Sequence, residues 1–362
     1  MAVDLMFNGQ AQGDVANQFM GAGRLDVGAL RPFVENGKSY ISMYKGGNLK
    51  DPNNYVVVPM NTNATLRRDE WKQLDKALME TAKYRLGGID DLVANGLTYD
   101  LGNAMGTTVL EWHDVGDFGE AVVTMDGVTR GNGDRPKFQY NYLPIPIIHF
   151  DYEINARVLE ASRNLGNPLD TTSAAQAARK VSEKLENMLF TNTTYSFGET
   201  DSRSLNTIYS YVNHPDRNTV TLDVDWDASA KTAAGILADV LQMKQTSIND
   251  YHYGPWMLYI PTAYETVLDE DYDTTTPGTT IRDRILKIAN IKGVKVIDTL
   301  AADNVLLVQM TPDTVRLVRG MGLTNVEWST EGKFINKYKV LTIQVPQIRS
   351  DQNLRSGIVH LA

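Results

Sequence analysis

The chain has 362 residues, so it is long enough for two or three domains. Its formal net charge is −9 at pH 7, whereas a protein that binds nucleic acid is normally basic. A surface that merely encloses nucleic acid can nevertheless be acidic. No apolar run approaches the length of about 20 residues that would span a membrane, and the N-terminus lacks the basic start and apolar core of a secretory signal. The chain has no cysteine, which excludes disulfides, thiolate catalysis and cysteine-ligated zinc and is typical of a reducing cytosol.

Residues 1–64 are rich in glycine and asparagine and lack a sustained hydrophobic period. Only Lys38–Tyr44 and 55–58 are strand-like. A segment of this length is too long for a loop inside a compact domain. We therefore expect an arm that is disordered alone and folds on a neighbouring subunit. The alternative is a floppy terminal tail.

The first predicted helix begins at Thr65, a possible N-cap that has Arg68 rather than a glutamate three residues later. It is predicted to end near Gly87 and Gly88. Its apolar face consists of Leu66, Trp71, Leu74, Leu78 and Ala82.

Two predicted strands, 109–125 and 137–150, flank the sequence DGVTRGNGDR. The glycine-rich turn predicts a long hairpin. Because a two-stranded ribbon is barely stable alone, we expect it to lie on a neighbouring subunit. The tip residues are Asp126, Gly127, Arg130, Gly131, Asn132 and Gly133.

A long helix follows, in which apolar residues recur at the spacing of one helical face. They are Ala174, Ala178, Val181, Leu185 and Met188. The opposite face is expected to be wet or to meet a polar partner. It carries Arg179, Lys180, Glu183, Lys184, Glu186 and Asn187.

The second half of the chain alternates helices with strands, which indicates an α/β domain. Helices are predicted at 225–246, 261–268 and 281–289, and strands at 256–260, 294–297, 305–309 and 315–318. The helix at 225–246 is expected to bury Ala234, Leu237, Leu241 and Met243. Two further strands, 337–345 and 357–361, are expected to return to the hairpin and the long helix.

The sequence predicts no catalytic, cofactor-binding or metal-binding residue. It lacks a Gly-x-Ser-x-Gly elbow, a His-Glu-x-x-His motif and a phosphate-binding loop, and its five histidines have no metal-ligand spacing. Asp269, Asp271 and Asp273 occupy the first positions of a calcium loop, but Thr274 and Thr280 stand where glycine and a bidentate glutamate are needed. An exposed acidic loop is the favoured interpretation.

Three segments resemble, in order and spacing, the Hong Kong 97-type major capsid proteins of tailed bacteriophages, and especially their encapsulin and linocin branch. Residues 65–88 are similar to the N-terminal encapsulin helix. Residues 142–192 resemble that family's strand and spine helix, with the ending Glu186 to Phe190, and residues 253–268 resemble the segment that opens its capsomer-facing helix. The 64 extra N-terminal residues depart from simple encapsulins and favour a phage capsid.

The resemblance implies an α+β fold of the Hong Kong 97 type. Its expected parts are an N-terminal arm (1–64), an N-terminal helix and loop (65–104), an extended β-hairpin or E-loop (105–145), a peripheral domain with the spine helix (146–224), an axial α/β domain (225–325) and C-terminal strands that return to the peripheral domain (326–362).

The resemblance also implies a function. The chain would be a non-enzymatic major capsid protein that self-assembles into the pentamers and hexamers of an icosahedral head and encloses double-stranded DNA without binding it specifically. Its place would be the virion, assembled in the host bacterial cytoplasm without a membrane, and its partners a portal, a separate scaffolding protein and decoration proteins. The alternatives are an encapsulin shell around protein cargo and, more distantly, a soluble enzyme with paired carboxylates.

By the same resemblance, the loop 269–280 faces the five- or six-fold axis of the capsomer. Copies of Asp269, Glu270, Asp271 and Asp273 would form a ring of carboxylates that repel one another unless cations or water screen them. The alternative is an exposed acidic loop without a role. We further expect no fused scaffold, no large N-terminal cleavage and no cross-link from Lys137, the only lysine of the hairpin.

Overall fold

A computed structural model describes residues 31–44, 54–60, 66–85, 87–102, 105–115, 123, 125, 138–164, 171–196, 207–273, 278–331, 334–351 and 353–362. The helices are α1 (Arg68–Arg85), α2 (Gly87–Ala94), α3 (Ala156–Asn164), α4 (Thr172–Phe190), α5 (Ala233–Asn249), α6 (Glu265–Leu268) and α7 (Ile281–Leu286). The first strands are β1 (Phe33–Glu35), β2 (Lys38–Tyr44), β3 (Tyr55–Met60), β4 (Thr98–Asp100), β5 (Val109–Val115), β6 (Phe138–Pro144), β7 (Ile148–Asn155) and β8 (Tyr195–Ser196). The remaining strands are β9 (Thr207–Ile208), β10 (Asn218–Val220), β11 (Trp256–Pro261), β12 (Ile291–Ile297), β13 (Val305–Gln309), β14 (Val315–Glu331), β15 (Ile335–Ile348) and β16 (Ile358–Leu361).

A five-stranded sheet, which we call the axial sheet, has the order β10-β16-β13-β11-β12. β11 runs parallel to β12 and antiparallel to β13. Every residue of β11 and β13 is buried, because alternate side chains enter two different hydrophobic cores. Burial on both faces explains why these strands are continuous apolar runs rather than alternating ones.

A four-stranded sheet, which we call the peripheral sheet, has the order β4-β14-β15-β7. The helices α1 and α4 pack against it, with Trp71 and Leu74 of α1 in one core with Tyr338 and Val340 of β15. The spine helix α4 contributes the alanines of this core, and these small side chains let it lie close to the sheet. The predicted apolar face of α4 is confirmed, since all five of its residues are buried.

The N-terminal segment differs from the arm that the sequence predicts. β1, β2 and β3 form an antiparallel sheet that packs on α1 of the same chain. The Val34 amide donates to the Leu66 carbonyl at 3.0 Å, and the Trp71 indole donates to the Pro32 carbonyl at 2.9 Å. The expectation that this segment folds only on a neighbour is therefore wrong for β1 to β3, while residues 1–30 lie outside the described part of the chain.

The first helix begins at Arg68, after the predicted Thr65, and ends at Arg85, near Gly87 and Gly88 as predicted. Its cap is Arg67, whose amide donates to the Glu70 carboxylate at 2.7 Å; Thr65 lies outside the described residues. The two glycines begin a second helix, α2, which the sequence does not predict.

The helix α2 lies between the end of the spine helix and the axial sheet. A Cβ on Gly88 would meet the Phe190 ring at 2.3 Å, so only glycine allows this approach. Phe190 packs edge-on against Tyr211 and Tyr259. The surrounding core includes residues of both large sheets, such as Leu317 and Leu306. This core therefore joins the two halves of the fold.

Two predicted elements of the second half need correction. The helix α5 starts at Ala233 rather than near 225, because Thr232 caps it by accepting from the Gly235 amide at 3.1 Å. Its buried positions are Ile236, Val240, Met243 and Ser247, whereas the predicted Ala234 and Leu241 are exposed. The strand predicted at 315–318 is the beginning of the much longer β14.

The two C-terminal strands do not share one sheet. β15 pairs with β14 and β7 beside the spine helix, as expected. β16 instead lies inside the axial sheet, between β10 and β13, so the expectation that both strands return to the peripheral sheet is wrong for β16. Among the described residues, no helix combines the length and apolarity needed to cross a membrane.

We predict that Gly88→Ala lowers the free energy of unfolding by about 1–3 kcal/mol, the usual cost of overpacking a core. Gly87→Ala is the matched control, because its Cβ would have only ordinary contacts, at 3.4 Å and 3.5 Å; removing a helical glycine there changes stability by less than about 1 kcal/mol, in the stabilising direction. Urea denaturation of both variants checks this. Equal effects of the two substitutions would contradict the close approach.

Candidate functional site

The two ends of the acidic loop between α6 and α7 are held together by backbone hydrogen bonds. The Tyr272 amide donates to the Thr279 carbonyl at 2.9 Å, and the Ile281 amide donates to the Glu270 carbonyl at 3.0 Å. Thr280 then forms a capping box with Asp283 at the start of α7. Residues 274–277 lie outside the described part of the chain, so these hydrogen bonds describe residues 269–273 and 278–280 of the loop.

The four acidic residues of this loop are all exposed, but their charges are not equivalent. Asp269 lies 3.0 Å from the Arg282 guanidinium, so its charge is compensated within the subunit. Asp271 accepts from the Gly278 amide at 3.4 Å. A capsomer ring would therefore repel less through Asp269 than the sequence alone suggests.

Within the described ranges, a different set of carboxylates gathers closely. Asp225, Asp227 and Asp303 place carboxylate oxygens within 4.8 Å of one another, and Asp303 also accepts from the Tyr264 hydroxyl at 2.9 Å. Sequence reasoning missed this group because nearly eighty residues separate its members along the chain. An exposed acidic cluster does not by itself define a metal site.

The base of the hairpin is a two-stranded ribbon. Among the described residues, β5 and β6 pair with each other and with no third strand, from Val109 opposite Pro144 to Val115 opposite Phe138. The ribbon packs on a core of the same chain through Leu110, Trp112 and Leu143. The second predicted strand, 137–150, is divided at its prolines into β6 and β7, and β7 joins the peripheral sheet. The tip residues Asp126, Gly127, Arg130, Gly131, Asn132 and Gly133 lie outside the described ranges. Next to them, Val123 and Met125 are almost fully exposed.

A cavity of about 290 Å³ opens where the hairpin base meets the spine helix. Its walls are mainly apolar, and Lys184 and His149 contribute the charged or ionisable groups. The lining residues are Pro146, Ile147, Ile148, His149, Lys184, Met188, Thr193, Thr194, Tyr195 and Ile208. The chain therefore has a mainly apolar cavity beside the spine helix.

An ion pair between a buried carboxylate and a partly exposed lysine joins α2 to the axial sheet. Asp91, which is only 5% exposed, lies 2.5 Å from the Lys295 ammonium and accepts from the buried Tyr259 hydroxyl at 3.0 Å. On the same strand as Lys295, Lys292 donates to Asn95 at the surface. Breaking the inner pair would leave a carboxylate in a core, whereas breaking the outer contact would not.

The sequence places Glu186 on a face that is wet or meets a polar partner, and the structure has it buried against the backbone of α2. It is 7% exposed, and its Oε1 accepts from the Gly88 amide at 3.4 Å. Burial raises the pKa of Glu186 to about 7, and the negative charges of Asp90 and Asp298 act in the same direction against the hydrogen bonds from the glycine amides. The helical period alone could not reveal this burial, because α2 covers that side.

Comparison with known proteins gives a family and a fold. The family model that describes DUF6260, a family of unknown function, matches residues 61–361. The chain belongs to this family. No curated protein matches its sequence significantly.

Solved structures share the fold of this DUF6260 chain over most of its length. A virus-like particle from Pyrococcus furiosus matches with a TM-score of 0.56 and 16% identity, covering 81% of this chain and 99% of the other. The capsid of Myoviridae phage XM1 matches with a TM-score of 0.54 and 10% identity over 74% and 90% of the two chains. The capsid of a native GTA particle matches with a TM-score of 0.50 and 11% identity over 78% and 89%. The chain has the Hong Kong 97-type capsid fold, as its sequence predicts.

We predict that Lys295→Met lowers the free energy of unfolding by about 2–3 kcal/mol, because it leaves the Asp91 carboxylate buried without its cation. Lys292→Met, on the same strand, removes a surface contact and should cost less than about 0.5 kcal/mol. Thermal and urea unfolding of the two variants measure the difference. A Lys295 variant as stable as the Lys292 variant would contradict the importance of the inner pair.

Proposed function

We propose that this chain is the major capsid protein of a tailed bacteriophage, a non-enzymatic subunit that assembles into pentamers and hexamers around double-stranded DNA. The observation that carries the proposal is the match of most of the chain to capsid and virus-like-particle subunits.

The proposal assigns roles to the parts of the fold. The hairpin at 105–145 lies over an adjacent subunit and presents the exposed Val123 and Met125 to it. The axial domain, 225–325, surrounds the five- or six-fold axis, and the peripheral domain with the spine helix forms the rim of the capsomer. The subunit belongs to the virion and is assembled in the bacterial cytoplasm, with a portal, a separate scaffolding protein and decoration proteins as partners.

The second candidate is a nanocompartment shell that encloses protein rather than DNA. The match to the Pyrococcus furiosus virus-like particle, which extends over 99% of that chain, favours it. However, the same match leaves part of this chain uncovered, since it spans 81% of it. Neighbouring genes separate the candidates: portal and terminase genes indicate a phage, and a ferritin-like or peroxidase gene indicates a protein-filled shell.

We expect the purified full chain to form closed shells of megadalton size in gel filtration and negative-stain microscopy, because heterologous contacts between copies close into rings. Removing residues 1–30 should reduce shell yield and leave the subunit folded, since this deletion spares β1 to β3. Deleting residues 1–50 would remove strands that pack on α1, so it is not a clean test of assembly. A small, discrete oligomer from the full chain would overturn the proposed function.

The acidic loop gives a second test. Glu270→Gln, Asp271→Asn and Asp273→Asn combined should raise shell stability at low salt and weaken its dependence on divalent cations, because the repelling charges at the axis are removed. Asp269→Asn is the control, since its charge is already compensated by Arg282. Shell melting is followed against salt concentration. Identical curves for the triple variant and the unmodified shell would refute the axial role of the loop.

A further inference from the structure

A carboxyl group is buried at the contact between the spine helix and α2. Glu186 projects from the last turns of the spine helix, and its Oε1 meets the Gly88 amide in the first turn of α2. Among the described residues, no group hydrogen-bonds to its Oε2. This carboxyl lies where α2 bridges the spine helix and the axial sheet, so its charge acts on the joint between the two halves of the subunit.

The ionisable groups around Glu186 do not supply a counter-charge. Asp90 on α2 and Asp298 after β12 are both acidic, and both disfavour its ionisation. Tyr259 on β11 is neutral, and burial raises its own pKa well above the ordinary value. The cation of β12 that faces α2, Lys295, pairs with Asp91. Only the two glycine amides favour the ionised form of Glu186.

We propose that Glu186 is a proton-sensitive latch: the neutral carboxyl holds α2 against the spine helix, and loss of the proton loosens α2 and with it the joint between the peripheral and axial sheets. The neutral form suits an apolar core, whereas the ionised form places an unpaired charge beside two other carboxylates. The latch is a property of the subunit and does not depend on the proposed function.

The direction of the pH effect follows from the burial. The pKa of Glu186 is about 7 in the closed state, and it returns to the ordinary value for glutamate when α2 opens. Protons therefore bind the closed state more tightly. The closed state has its full advantage below the ordinary pKa of glutamate and loses it as pH rises through about 7. His214 and His360, whose pKa values burial lowers to about 4, do not titrate in this interval.

Hydrogen exchange of the α2 amides in the full chain, corrected for the intrinsic pH dependence of exchange, tests the latch. Between about pH 5.5 and about pH 8, the opening equilibrium of α2 should increase about 30-fold. Glu186→Gln should abolish this increase and keep α2 protected at both pH values. Glu183→Gln, on the exposed side of the same helix, is the matched control and should retain the increase.

A second variant keeps the test decisive if the first does not fold. Asp90→Asn removes one negative neighbour of Glu186, so the midpoint of the opening transition should move to lower pH and its amplitude should become smaller. A merely structural role for Glu186 would not move that midpoint. An opening equilibrium that is independent of pH in the unmodified chain, or one whose increase survives Glu186→Gln, would overturn the proposal.

Discussion

The fold depends on how closely α2 approaches the end of the spine helix. Gly88 has no side chain, and the Phe190 ring occupies the space that a Cβ would need. This contact aligns α2 so that Asp91 reaches Lys295 on the axial sheet, while the core beneath it draws side chains from both large sheets. A short helix of eight residues therefore determines how the peripheral and axial halves are joined, although neither sheet contains it.

Some elements of the chain are buried in its hydrophobic cores, whereas the described residues near the hairpin tip are exposed to solvent. The strands β11 and β13 of the axial sheet are buried on both faces, and the apolar face of the spine helix is buried in the cores of the chain. By contrast, within the described residues the ribbon β5–β6 has no third strand, and Val123 and Met125 beside its tip are open to solvent. The base of the hairpin therefore packs on a core of the chain, whereas the described residues near its tip do not.

The sequence predicted the elements whose signals are local. The period of α4 and the apolar runs of β11 and β13 were enough to place them, and the order of the segments was enough to indicate the fold. It failed where tertiary contacts and side-chain caps decide: the helix α2, which begins directly at Gly87, is not predicted, and α5 starts only where Thr232 can cap it. Because α2 is not predicted, the sequence leaves open whether the face that carries Glu186 is wet or meets a polar partner. Of the candidate site, the acidic loop could be located, but its pairing with Arg282 could not.

The position of β16 has a consequence for the order in which the chain folds. Ile358–Leu361 is an interior strand of the axial sheet, with β10 on one side and β13 on the other, and about 140 residues separate it from β10 along the chain. During synthesis, β10 and β13 have no common partner until residues 358–361 have left the ribosome. The two edges that β16 later covers remain open until then. The axial sheet therefore cannot be completed before this strand is available, and an incomplete chain lacks a finished axial sheet.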